Sequence, residues 1–600
     1  MKKTSALILF LLLFFSFQIA AAPASRDIRT YELPDGTSIS YTVIGDERYH
    51  YVLSTDGYVL MKNDAGFYAY AQKDERNFLV AGNVIARNEG NRTSEEIRFL
   101  QTITPFMEYH PDQIAQFPRM VERESSLGRS SFSIFSDEKI NLNAQKHKKN
   151  IVILVEFNDL HFTVENPREK FLDLLNKEGY DYNGATGSVR DYFIESSFGA
   201  FQPSFDVVGP YQLNNPMSHY TSDAGNRAMI REACHAADVN FQEYSTDGYF
   251  VDNVSIIFAG HNAAEGAHGT IWPHYSNKLN VSLDDRVITT YICTSELRGS
   301  PPQTEICGIG TFVHEFSHIL GLPDLYNTQS GTYSLDKWSV MDGGLYLNRG
   351  RTPSAYSSYE RFFMGWLVPE ILDSPVANVN LPNLIDNNKA YILADGTPDL
   401  NGYNPTPNEF FMIENRQLKG FDAYLPYHGM LIWRIHYNKS AWESIPSSVN
   451  TNSREWVYLV RANGLTVNTQ VAERGNPFPG TTGETSYSPT LLNGTDLGKP
   501  IYCIDEKNGI ISFNLIDSDC IASVNSTSHD AINVWSSNNT LYISGIEEKT
   551  QVEIWQIDGK IAVEKELIDS YSEIYIPKAG LYIVRLKSKN VSSAYKIILQ

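Results

Sequence analysis

The chain has 600 residues and carries 49 Lys and Arg against 70 Asp and Glu, a formal charge of −21. That length supports about two to four domains. The acidity, without any long basic block, excludes nucleic acid as a partner class and suits an extracellular setting.

Lys2 and Lys3 precede an apolar run from Ala6 to about Ile19 and then small residues, the pattern of a secretory signal peptide. Ala22-Pro23-Ala24 offers an A-x-A site, so residues 1–24 are read as a leader cut after Ala24, and no cysteine follows the run to take a lipid anchor. No later stretch reaches the roughly 18 apolar residues of a membrane span, so no transmembrane anchor is expected.

Residues 25–118 alternate apolar and polar in short runs, as in Tyr49 to Leu60 and Phe67 to Ala71, with Asp-Gly and Ala-Gly turns between them. This is a mainly β module, read as a prosegment, with a permanent accessory domain as the other reading. No cysteine occurs before Cys234, so latency would come from an acidic side chain or from occlusion of the cleft. Residues 119–150 turn polar and rich in Ser, Arg and Lys, ending Lys146 to Asn150: a linker open to activating proteolysis, or an uncut connector.

The next region, residues 151–525, opens on a short β-branched strand, Ile151 to Phe157. Helical patterns follow near Pro167 to Lys177 and Gly187 to Ser196, and strands near Val254 to Ala259 and Val287 to Cys293. The order is that of an α/β (α+β) domain with a mixed sheet.

Then comes H-E-F-S-H-I-L-G-L-P-D, His314 to Asp324. Positions four apart on a helix lie about 40° apart round the axis and about 6 Å along it, so His314 and His318 can converge on one zinc ion. Glu315 stands where a general base would deprotonate a metal-activated water. Phe312, Val313, Phe316, Ile319 and Leu320 enclose these polar groups, which would cost roughly 2–7 kcal/mol each to bury unpartnered. Gly321 supplies a left-handed helix end and Pro323 prevents resumption, so Asp324 turns back as the third ligand.

Met341, in W-S-V-M-D-G-G, is read as an apolar floor under the metal. Tyr356 to Leu367 suits an amphipathic helix, and strands dominate from Tyr391 to about Leu515. Tyr346 and Tyr356 are candidates to stabilise an oxyanion, although packing explains either. His261, His268 and His274 are too irregularly spaced for a second metal and read as solvated or cleft residues. Of five cysteines at least one is unpaired; Cys293 with Cys307, and Cys503 with Cys520, are the first pairs to consider. Residues 526–600 show short alternating strands and an Asp558-Gly559 hairpin signal, a C-terminal β-sandwich.

The motif, with Gly187 to Gly199, Ile256 to His261, Ile271 to His274 and Phe410 to Gln417, resembles the immune-inhibitor-A-like family of secreted zinc metalloproteases, relatives of the metzincins. The resemblance spans roughly Ile151 to Leu515 and implies a zincin-type catalytic domain behind a prosegment. It carries the ligand roles to His314, His318 and Asp324 and the base to Glu315. Ser245 to Asp252 is similar to a family segment that looks like a calcium loop, but only Asp247 and Asp252 remain as acidic ligands. The end of the chain, with its D-G-K hairpin, Gly580-Leu581-Tyr582 to Arg585 and Lys596, resembles the sorting domain recognised by the type IX secretion machinery. That implies export to the medium or to the outer-membrane surface of a Gram-negative bacterium.

The expected function is that of a secreted zymogen: a zinc-dependent endopeptidase acting on protein or peptide substrates. The alternatives are a surface adhesin with a structural or vestigial zinc site, and a zinc hydrolase of non-peptide bonds.

Overall fold

The β-branched run Ile151-Val152-Ile153, continued by Leu154 and Val155, is fully buried and marks the middle of the largest sheet. The computed structural model describes residues 19–114, 148–515 and 533–599, apart from breaks at 48–49, 64, 445, 452–454, 466–469, 538, 545, 547–548, 557–559, 569–570 and 589–591. Most of the expected leader, the linker from 119 to 147, the Asp558-Gly559 hairpin and Cys520 lie outside the described residues. The chain forms two compact units, residues 1–517 and 518–600.

The central sheet of the first unit has six strands: β1 (Ile19–Ala21), β2 (Lys149–Glu156), β3 (Ser204–Gln212), β4 (Val254–His261), β5 (His274–Ser276) and β6 (Tyr291–Leu297). Their spatial order is β1-β5-β6-β4-β2-β3. Strands β3, β2, β4 and β6 run parallel, whereas β5 is antiparallel to β6 and β1 is antiparallel to β5. The parallel strands β2, β4 and β6 are buried along nearly their whole length; β2 and β4 are largely apolar, whereas β6 buries Thr294, Ser295 and Glu296. The strand expected over Val287 to Cys293 is broken, because Val287 and Ile288 pair with Phe250 and Val251 in a separate small sheet before the chain enters β6.

Four helices matter to the site: α1 (Val189–Ser196), α2 (Asp223–Ala236), α3 (Ile309–Leu320) and α4 (Ser358–Phe363). Capping boxes start α1, through Ser188 and Asp191, and α4, through Ser357 and Glu360. Helix α4 is shorter than the amphipathic pattern over Tyr356 to Leu367, because Gly365 turns left-handed at φ 69° and ends it. Helix α2 buries Met229, Ile230, Ala233 and Cys234 behind a Ser222 cap.

Between Arg29 and Ile85 six antiparallel strands form a sheet in sequence order. Its core of Leu33, Ile39, Tyr41, Leu60 and Tyr70 also takes in Ala264 and Trp272, so this module and the central region share one hydrophobic cluster. A further five-stranded sheet includes β7 (Glu409–Arg416) and β8 (Gly429–His436), paired antiparallel along their whole length. At the end of β7 the fully buried Arg416 donates to Asp422 at 2.6 Å, to Glu414 at 3.1 Å and to the Ala355 carbonyl at 3.1 Å.

On α1, burial pushes the Glu195 carboxyl up to about 7 although it accepts the Phe421 N–H at 2.9 Å. The folded chain therefore holds this proton more tightly than the unfolded one. Its stabilisation is complete below the ordinary value of 4.5 and is lost as pH rises through about 7. Glu195→Gln is expected to flatten the fall in urea midpoint across that window, an effect of about 3 kcal/mol at most.

The second unit has a three-stranded and a four-stranded antiparallel sheet that bury Leu541, Ile543, Val552, Ile554 and Val584 together. Cys503 is disulfide-bonded. The expected Cys293–Cys307 pair is not formed, and both residues are free and buried. Their sulfurs have different neighbours: Cys293 Sγ lies 3.2 Å from His274 Nδ1, whereas Cys307 Sγ lies 3.7 Å from Glu265 Oε1. Among the described residues no helix is long and apolar enough to cross a membrane.

Candidate metal centre

All twelve residues of α3 are buried, including His314, Glu315 and His318. The helix is held tight against the chain that follows. A Cβ on Gly310 would meet the Leu345 carbonyl oxygen at 1.9 Å, and one on Gly308 would meet Gly350 at 2.2 Å, so only glycine permits this approach. At the other end Gly321 adopts φ 106° and its N–H donates to the His318 carbonyl, turning the chain back as the sequence predicts.

The turn brings Asp324 to the two imidazoles. Asp324 Oδ1 lies 3.4 Å from His314 Nε2 and 3.2 Å from His318 Nε2. Each histidine donates its other ring nitrogen to a carbonyl: His314 Nδ1–H to Val340 and His318 Nδ1–H to Leu322, both at 2.8 Å. A carbonyl can only accept, so both Nε2 atoms present lone pairs. Three acceptor atoms thus converge in a buried space, and none of them, nor Asp324 Oδ2, has a hydrogen-bond donor.

Such a cluster is repulsive unless a cation lies within it. A tetrahedral zinc with ligand bonds of about 2.0–2.1 Å holds its donor atoms about 3.3–3.4 Å apart, close to the two distances from Asp324 Oδ1.

Glu315 is the fourth member. Donor atoms of His314, Glu315 and His318 lie within 4.8 Å of one another, the single such grouping among the described residues. Its Oε1 accepts the Ala22 N–H at 2.8 Å, whereas its Oε2 has no partner. Asp324, with both oxygens free of donors, fits the cation better than Glu315 does. Burial, and then the Asp324 charge, push the Glu315 carboxyl well above the carboxylate range. A nearby cation would act in the opposite direction.

The segment after α3 is wired to this cluster on both sides of Met341. Val340 supplies the carbonyl for His314, and the Met341 carbonyl accepts the Leu325 N–H at 2.9 Å beside Asp324. Met341 itself is fully buried. Tyr356 bonds the Ser317 hydroxyl and stacks on Trp366 at 5.4 Å, a packing role behind the helix. Tyr346 is in the cleft, donating to the Pro23 carbonyl at 2.7 Å.

The three irregular histidines have separate partners: His261 the Arg298 carbonyl, His268 the Tyr68 hydroxyl, and His274 the Trp272 carbonyl and Tyr291. The calcium considered at Ser245 to Asp252 is not supported. Asp247 caps the turn by accepting the Tyr249 and Phe250 N–H groups at 2.8 Å, and Lys148 already places an ammonium 3.7 Å from Asp252.

Sequence reasoning missed the cleft's contents. Ala22, Pro23 and Ala24, expected to end a removed leader, are buried there, and Trp272, Tyr333 and Tyr346 hold their carbonyls. The signals for these donors were the I-W-P-H landmark around Trp272 and Tyr346, which the sequence offered as an oxyanion donor; nothing pointed to Tyr333.

Residues 234–367 match the family described as immune inhibitor A peptidase M6, catalytic domain. The chain is 22% identical over 381 residues to the pre-pro-metalloprotease PrtV of Vibrio cholerae serotype O1 (strain M66-2), covering 51% of this chain and 40% of that protein. It is 25% identical over 275 residues to immune inhibitor A of Bacillus thuringiensis subsp. alesti, covering 36% and 39% of the two chains. The chain thus spans about two fifths of the length of these curated relatives. A solved structure of PorZ, a surface component of the type-IX secretion system of Porphyromonas gingivalis, covers 17% of this chain and 15% of its own at 14% identity and a TM-score of 0.12, a level at which no shared fold is implied. The match at 234–367 contains both histidines, Glu315, Asp324 and the Met341 turn, so over that stretch the chain is similar to the catalytic domain of the immune inhibitor A peptidases.

Proposed function

We propose that the protein is a secreted, zinc-dependent endopeptidase made in latent form. The observation that carries this reading is the convergence of the buried Nε2 atoms of His314 and His318 and the Oδ1 of Asp324, all without donors, beside a glutamate. His314, His318 and Asp324 would hold zinc. Zinc bound there polarises a scissile carbonyl and lowers the pKa of a water. Glu315 takes the proton of the attacking water and returns it to the leaving nitrogen. Its carboxylate already accepts from an amide nitrogen, that of Ala22, so it is placed for the second transfer. Val340 and Leu322 keep the two imidazoles in the ligating tautomer. Met341 is read as part of the apolar floor.

Latency follows from occlusion. β1 occupies the edge of β5, and Ala22 takes the Glu315 carboxylate that the reaction needs. The module from Arg29 to Ile85 anchors that plug by sharing its core with Trp272. Removal of the leader after Ala24, which carries Ile19 to Ala24 out of the cleft, and cleavage in the 119–150 linker are together the proposed release. The second unit is proposed as a β-sandwich serving type IX export to the medium or to the outer surface of a Gram-negative cell.

Two measurements test the metal site apart from activity. Metal analysis of the purified chain should find about one zinc per molecule, and Asp324→Ala should lower it at least tenfold. Phenanthroline should lower the melting temperature of the wild type and leave that of Asp324→Ala unchanged. A wild-type chain that carries no transition metal and melts identically with chelator would overturn the assignment.

A further inference from the structure

The main chain of six successive residues, Ile19 to Ala24, is held along the cleft. Ile19, Ala20 and Ala21 pair with Ser276, Tyr275 and His274 on β5. Beyond them the strand pairing stops and three aromatic side chains take over. Trp272 Nε1–H donates to the Ala22 carbonyl at 2.8 Å, Tyr346 O–H to the Pro23 carbonyl at 2.7 Å, and Tyr333 O–H to the Ala24 carbonyl at 2.8 Å. The side chains of Ala22 and Ala24 are small and packed in apolar clusters, and the three hydrogen bonds to main-chain carbonyls add a grip that does not depend on them.

The segment also has a polarity. Glu315 Oε1 accepts from the nitrogen of Ala22, so the Ala21–Ala22 peptide bond stands where the carboxylate would hand a proton to a leaving amine. Residues before that bond lie on the sheet edge, and residues after it lie on the three donors. When the segment leaves, Trp272, only 8% exposed, keeps an indole N–H that can donate and nothing else. Burial keeps the phenols of Tyr333 and Tyr346 protonated, so they also remain donors.

We infer that Trp272, Tyr333 and Tyr346 form a rail that binds substrate carbonyls on the amine side of the cut bond. The substrate class is extended, unfolded polypeptide gripped through its backbone carbonyls. This rests on the endopeptidase reading. The three are positioning residues, and β5 supplies the matching rail on the acyl side.

The test uses Trp272→Phe, Tyr333→Phe and Tyr346→Phe, which remove each donor and keep a ring. In the full chain, amide hydrogen exchange over residues 22–26 is expected to quicken about three- to tenfold in each variant, the size of one lost neutral hydrogen bond. In the exported enzyme, whose ends mass spectrometry defines, each variant is expected to raise KM about three- to tenfold with kcat held within about twofold, whichever side chains the peptide carries. A peptide inhibitor with one carbonyl reduced to CH2 should bind the wild type about three- to tenfold more weakly, and the variant lacking the matching donor no more weakly than the parent inhibitor. Unchanged KM in all three variants, or losses that follow side-chain identity, would overturn the rail. A lowered melting temperature without the inhibitor pairing would show rings needed for packing alone, and would overturn it equally. If the wild-type exported enzyme cleaves no peptide, the endopeptidase reading fails instead, and exchange in the full chain still decides whether the three donors grip main chain.

Discussion

Glu315→Ala, in chain freed of its N-terminal plug, is expected to cut peptide hydrolysis by about a thousandfold or more, within the range set by removing a general acid–base group that acts twice in one turnover. Zinc content should stay at the wild-type level, because the donor set is His314, His318 and Asp324, and their supporting contacts to Val340 and Leu322 do not involve Glu315. Glu315→Gln should be as inactive while preserving the shape of the side chain. A variant that retains more than about a tenth of wild-type kcat/KM would refute the proton-transfer role. One that loses zinc together with activity would move Glu315 into the ligand set instead. Steady-state kinetics on a quenched peptide, run beside metal analysis of the same sample, separates these outcomes.

The second large effect is structural. Arg416 lies at the end of β7, fully buried, with its guanidinium shared between Asp422, Glu414 and the Ala355 carbonyl. Arg361, also fully buried, donates to the Tyr356 carbonyl at 3.0 Å. This brace fixes the stretch from Ala355 to Arg361, and Tyr356 in turn bonds Ser317 on the face of α3 away from solvent. Arg416→Met strands two buried carboxylates and is expected to cost about 3–5 kcal/mol, measured as a fall in urea midpoint of the first unit. Replacing Glu414 and Asp422 with Gln and Asn in the same chain should restore much of the loss, since no uncompensated charge then remains buried. A stability change below about 1 kcal/mol for Arg416→Met would show that water reaches the carboxylates and that the brace is unimportant.

Features encoded within a few residues were the ones legible in the sequence. The i, i+4 histidines, the glycine that must turn left-handed and the aspartate after it are local, and the structure brings them together as their spacing requires. The β-branched run at Ile151 announces its strand in the same way, whereas the caps at Ser188 and Ser357 are local signals that the sequence reading did not use. Contacts between distant segments were not legible. Trp272, Tyr333 and Tyr346 act on carbonyls about 250 to 320 residues away, and among 35 tyrosines nothing in the local pattern marks two as donors. The Cys293–Cys307 pairing failed for the same reason, since nearness in sequence says nothing of which way each sulfur points. Helix α2 could have been read from its Ser222 cap and the Met229, Ile230 and Ala233 stripe. Arg416 entered only as part of a family landmark, and its charge gave no hint that it would be buried.

The Ala22 amide on Glu315 belongs to the same covalent chain, and the same compact unit, as the carboxylate that it covers. A stopper delivered by a separate inhibitor would wash away on dilution as a molecule leaves the cell. This one is present at a fixed ratio of one per cleft for as long as the leader stays uncut, so its grip is independent of how many copies surround it.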